Sequence, residues 1–149
     1  MGNRVGEGNA YGNLGNGYLS LNDFKKALEH HKQDLSIAKE LGNKAGEGGA
    51  YGNLGIAHEG LGDFKQTIEY HMKHYHIAKE LGDKYGEAKA YGNLGNAHFC
   101  LGNLTKAIEY HTQRRNIAKE LGDKIGEGKA CFRLGCDSAF SGAFHHDVD

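Results

Sequence analysis

The chain has 149 residues, 18 Lys and Arg against 19 Asp and Glu, a formal net charge of −1 and 38% apolar residues. That balance excludes the basic excess of a nucleic-acid-binding module, and no apolar run approaches the ~20 residues of a membrane-spanning helix. Three cysteines (Cys100, Cys131, Cys136) are too few and too unevenly placed for a disulfide framework. They read as reduced thiols of a cytoplasmic protein with neither nucleic acid nor membrane as partner. No apolar stretch follows Met1-Gly2-Asn3-Arg4, so no secretory signal is expected. Glycine contributes 24 residues and proline none, which fits neither collagen nor a linker.

The first element, around Tyr11-Gly12-Asn13-Leu14-Gly15, explains the glycine, because it returns at Tyr51–Gly55 and again at Tyr91–Gly95. A second phrase, Ile37-Ala38-Lys39-Glu40-Leu41-Gly42, returns at Ile77–Gly82 and Ile117–Gly122. Residues 42–81 and 82–121 agree at 23 of 40 positions. A period of this size signals a solenoid, a propeller or another array. The repeats run 2–41, 42–81 and 82–121. The first helix of a partial fourth repeat follows at 122–140, and an unstructured tail is expected at 141–149.

Each repeat reads as two helices. In the second repeat they span about Lys44 to Gly60 and Phe64 to Leu81. Leu54, Ala57 and Leu61, then Phe64, Ile68, Met72 and Tyr75, fall at helical spacing. Leu61-Gly62-Asp63 pairs a glycine stop with an aspartate N-cap, and Leu81-Gly82-Asp83 repeats the device. Connections this short force antiparallel neighbours. The result is an all-α chain of about seven helices. Gly15, Gly55, Gly95 and Gly135 recur opposite Ala27, Thr67 and Ala107, where close helix approach would leave no room for a Cβ. Gly60 lies on the opposite face and is expected to accept a side chain.

These residues resemble the tetratricopeptide repeat. Its aromatic, Leu-Gly, aromatic, corner, aromatic and small positions are held by Tyr11, Leu14-Gly15, Tyr18, Asn22, Phe24 and Ala27. The second repeat offers Tyr51, Leu54-Gly55, His58, Gly62, Phe64 and Thr67. The third offers Tyr91, Leu94-Gly95, His98, Gly102, Leu104 and Ala107. The period is 40 residues, longer than the standard 34, and Lys39, Lys79 and Lys119 replace the closing proline. Phrases such as "AYGNLGNAH" and "IAKELGD" resemble the repeats of the LGN/Pins G-protein-signalling modulators, and equally those of very long animal arrays. Nothing resembles a GoLoco peptide, so Gα binding is not implied.

The resemblance implies a right-handed superhelical α-solenoid whose first helices line a concave, peptide-binding groove. The packing stripe of a first helix is Tyr51, Leu54, His58 and Leu61. The face turned from it carries the ladder Asn13, Asn53 and Asn93, with Asn16 and Asn96 beside it. An Asn side chain both donates and accepts, so it can bracket an extended peptide backbone. Lys89, Lys129 and Arg133 make the C-terminal part of this face basic and favour an acidic partner. Asn93, Lys129 and Arg133 match part of a carboxylate clamp, whereas Gly52 and Ile56 do not. The ordinary alternative for these Asn is that they are solvated surface or fix a local turn.

Other signals count for little. The glycine strings follow no strand, which argues against dinucleotide binding. His31, His71 and His111 share one repeat position and read as packing. No metal, cofactor or catalytic arrangement is expected. The leading function is a scaffold binding a protein or peptide segment. The alternative is a structural spacer of a longer array, and uncapped array ends suggest self-association.

Overall fold

The computed structural model describes residues 3–146, with side chains through residue 135. The described residues form seven helices and no strand: α1 Arg4–Ser20, α2 Phe24–Glu40, α3 Lys44–Gly60, α4 Phe64–Leu81, α5 Lys84–Cys100, α6 Leu104–Leu121 and α7 Lys124–His146. They divide into two compact units, one ending at Gly82 and the other beginning at Asp83.

The corners explain these boundaries. An Asn or Asp stands before every helix: Asn3, Asp23, Asn43, Asp63, Asp83, Asn103 and Asp123. Each side chain accepts a hydrogen bond from the backbone N–H three residues on, at 2.9–3.5 Å. This satisfies one of the otherwise orphaned N–H groups of a first turn. The residue before most of these caps is left-handed: Gly42, Gly62, Gly82, Gly102 and Gly122 have φ of 64–78°, and Asn22 has 58°. Five capping residues also close the preceding helix, donating their own N–H to a carbonyl five residues back. Examples are Asp63 to His58 at 2.9 Å and Asn103 to His98 at 2.8 Å. One Gly-Asx pair therefore ends one helix and begins the next.

In the first unit α1 packs on α2, α2 on α3 and α3 on α4. Its core gathers Tyr51, Leu54 and Ile77, with Leu28, Leu35 and Tyr70 against them. Leu54 is fully buried, whereas its repeat equivalent Leu14 is 50% exposed. In the second unit α5 packs on α6 and α6 on α7, around Leu94 and fully buried alanines such as Ala97, Ala107 and Ala130. Within each unit the helices stack in sequence order, and the fold is an all-α solenoid.

Three of the four recurrent glycines do mark close approach, but against a different partner from the expected Ala27, Thr67 and Ala107, whereas a Cβ at Gly135 would meet no described residue within 4 Å. A Cβ at Gly15, Gly55 or Gly95 would lie 2.5–2.6 Å from the ring of His31, His71 or His111. Helical side chains lean toward the N-terminus, so a ring one turn past the small residue reaches back to the glycine, and the small residue itself is too short. Each of these imidazoles is 0% exposed. Gly60 also differs from expectation: a Cβ there would collide with the Phe24 ring on α2.

The last helix runs to His146, past the expected end at 140 and into the segment 141–149 expected to be unstructured. The reason is local. Every earlier helix stops at a left-handed Gly or Asn followed by an Asx cap, whereas Gly142 is followed by Ala143, and no proline intervenes. Residues 147–149 lie outside the described residues.

Candidate functional site

Each unit carries its own groove. In the first unit α1, α2 and α3 enclose about 520 Å³. Asn13 and Asn16 enter from α1 and Asn53 from α3, with Asn9 and Asn43 at the margins. Gly8, Gly12, Gly46 and Gly49 form much of the wall, and of these Gly49 is exposed with nothing within 4 Å of a Cβ there, while Ile37 and Ala38 supply apolar surface. Asp34 of α2 is the one charged residue lining this groove. It is half-buried, and loss of solvation pushes its carboxyl above the usual carboxylate range.

In the second unit α5, α6 and α7 border a cavity of about 410 Å³, lined by Asn96, Arg114, Gly128, Lys129, Phe132 and Arg133. The Arg133 guanidinium donates through Nε and Nη2 to Asn96 Oδ1, at 3.0 and 2.7 Å. It also lies 5.7 Å from the centre of the Phe99 ring. Asn96 is neutral, so it orients Arg133 without cancelling its charge. Burial lowers the pKa of Arg114; Asp123 opposes this and Arg133 adds to it. The guanidinium nevertheless stays protonated at neutral pH. Beneath the cluster, burial and then Arg133 and Arg114 push the His111 imidazole down to about 4, so it is neutral at pH 7.

The expected site residues thus distribute as follows. Asn13, Asn16 and Asn53 share the first groove, and Asn96, Lys129 and Arg133 share the second. Asn93 is half-buried and lines neither; its amide nitrogen is enclosed without a hydrogen-bond partner among the described residues. Lys89 is exposed and also lines neither. Asp34 and Arg114 lie on second helices, α2 and α6, outside the first-helix faces expected to line the groove. A signal was present: residues 34, 74 and 114 are Asp, His and Arg at one repeat position, just before the invariant Ile-Ala-Lys-Glu-Leu.

Among the described residues no group of His, Cys, Asp and Glu is placed to hold a metal ion, and no helix is long and apolar enough to cross a membrane. Cys100 and Cys131 are exposed free thiols.

Comparison with known proteins places these features. Two models, each of the tetratricopeptide repeat, match residues 47–120 and 10–45, together most of the chain. No curated protein matches it in sequence. Among solved structures it is similar to the TPR domain of Arabidopsis FLU, at 26% identity and a TM-score of 0.74, covering 80% of this chain and 99% of that one. It is similar to BtubC (BKLC) from P. vanneervenii, at 20% identity and a TM-score of 0.84, covering 93% and 57%. It is also similar to aspartyl phosphate phosphatase F from Bacillus subtilis, at 19% identity and a TM-score of 0.84, covering 99% and 40%. The last two likenesses show the fold alone, and the chain spans about half the length of those proteins or less. None of the three points to the LGN/Pins modulators in particular.

Proposed function

Because the chain belongs to the tetratricopeptide repeat family, we propose that it is a protein–protein interaction scaffold holding a peptide segment of a partner along its grooves. The observation that carries this reading is the shared groove of Asn13, Asn16 and Asn53, three amides from two helices above a glycine-rich wall. A primary amide offers two donors and an acceptor, which suits an extended backbone whose N–H and C=O groups alternate. Gly49, exposed and open, lets that backbone approach without meeting a side chain. Lys129 and Arg133 in the second unit favour acidic side chains on the same partner. A cytoplasmic setting, which keeps Cys100 and Cys131 reduced, agrees with their exposure as free thiols.

The test is selection of peptides from a random displayed library, followed by fluorescence anisotropy with the winners. Asn13→Ala/Asn53→Ala should weaken binding by about ten-fold, as two lost neutral hydrogen bonds imply, with the helical circular dichroism unchanged. Equal binding by wild type and the double variant would exclude this groove and favour a structural spacer of a longer array.

A further inference from the structure

The position shared by Asp34, His74 and Arg114 is occupied by three chemically different side chains, although Ile-Ala-Lys-Glu-Leu follows just after it in all three repeats. Opposite each stands a glycine of the first helix. A Cβ at Gly12 would lie 3.1 Å from Asp34 Oδ2, one at Gly52 3.0 Å from His74 Nδ1, and one at Gly92 3.0 Å from Arg114 Nη1. These glycines are not at corners and have no left-handed φ. In mid-helix each costs roughly 1 kcal/mol against Ala. What they provide is space: a second-helix side chain passes over the first helix at that point. By contrast Gly49 and Gly128 meet nothing within 4 Å.

Where this passage opens into a groove, no residue of opposite charge lines that groove among the described residues. In the second unit Arg114, Lys129 and Arg133 line one cavity. Asp123, the carboxylate that acts on Arg114, is already engaged as the N-cap of α7. Phe132, 70% exposed, adds an apolar wall for the stem of an acidic side chain. A guanidinium fork matches a carboxylate with two parallel hydrogen bonds. In the first unit the polarity is reversed, since Asp34 brings the only charge to a groove of amides, glycines and aliphatic groups.

We infer that second-helix residues set the charge preference of the grooves: Arg114, reaching over Gly92, selects an acidic side chain in the second unit, and Asp34, reaching over Gly12, selects a Lys or Arg side chain in the first. This rests on the peptide-binding reading above and adds its specificity determinants.

The test selects a fully random heptapeptide library with amidated C-termini against the full-length chain and its variants. Amidation separates a side-chain carboxylate from a terminal one, and repetition with free C-termini reads the second source. Wild type should enrich peptides with Glu or Asp and peptides with Lys or Arg. Arg114→Gln should remove the acidic enrichment and weaken an acidic winner by about ten-fold, as loss of one charged pair implies, leaving the basic winners unaffected. Asp34→Asn should do the converse. Gly92→Leu should copy Arg114→Gln although every charge remains, and Arg114→Lys should retain the acidic preference. Circular dichroism at 222 nm identifies variants that fold. If acidic enrichment survives both Arg114→Gln and Gly92→Leu while Asn13→Ala/Asn53→Ala still weakens binding, the second-helix inference falls and the groove reading stands. If acidic peptides are enriched only with free C-termini, the site is a terminal-carboxylate site and the side-chain assignment falls. If wild type enriches nothing, both fall.

Discussion

His111→Gln should remove a large share of the chain's sensitivity to acid. The imidazole is 0% exposed, sealed beneath Gly95, and held to about 4 by burial and by the nearby Arg133 and Arg114. In the unfolded chain its pKa returns to about 6.5. Above 6.5 neither state protonates it, so it adds no pH dependence there. Between 6.5 and 4 the unfolded chain binds a proton that the folded chain refuses, and stability falls as pH falls. At 1.36 kcal/mol per unit, the shift amounts to about 3 kcal/mol lost between pH 7.5 and pH 4. That is a substantial part of the roughly 5–15 kcal/mol that holds a typical domain. His31, His58 and His98 are also lowered by burial and add in the same direction. Asp34, raised by burial, opposes them, because its protonation on acidification relieves a penalty of the folded state. The informative quantity is therefore the difference between wild type and His111→Gln in urea unfolding followed at 222 nm from pH 7.5 to 4. The two curves should converge by about 3 kcal/mol over that range. Curves that stay parallel within about 0.5 kcal/mol, the usual limit of additivity, would refute the claim that His111 is buried and neutral.

Gly55→Leu and Gly60→Leu should both destabilise, by about 1–3 kcal/mol or more, since one side chain would enter the His71 ring and the other the Phe24 ring; a silent Gly60→Leu in thermal unfolding would overturn the packing of α2 on α3. Gly49→Ala should stabilise by about 0.5–1 kcal/mol, because the position is helical and open. Gly82→Ala, at φ 67°, should instead cost about 1 kcal/mol, and a rise in melting temperature for both would contradict the left-handed corner.

The 40-residue period, the helical pairs and every helix boundary but the end of α7 were legible in the residues. Each depends on interactions within about six positions. A left-handed Gly and a capping Asx make the same hydrogen bonds wherever they occur, so Leu61-Gly62-Asp63 announces its corner without tertiary information. The same rule accounts for the one boundary that differed, at α7, where Gly142 has no Asx after it. The partners of the helical glycines were a different matter. Gly55 could be recognised as a close contact, but not that the His71 ring fills it, and Gly60 could not be told from an open position. Whether a Cβ fits at Gly60 depends on Phe24, 36 residues away, and on the depth to which α2 settles on α3. Asn13 and Asn53 could be placed on one helix face by periodicity. That Asp34 and Arg114 reach the grooves from the second helices was decided by packing alone, because a side chain crosses a neighbouring helix only where that helix carries no side chain of its own.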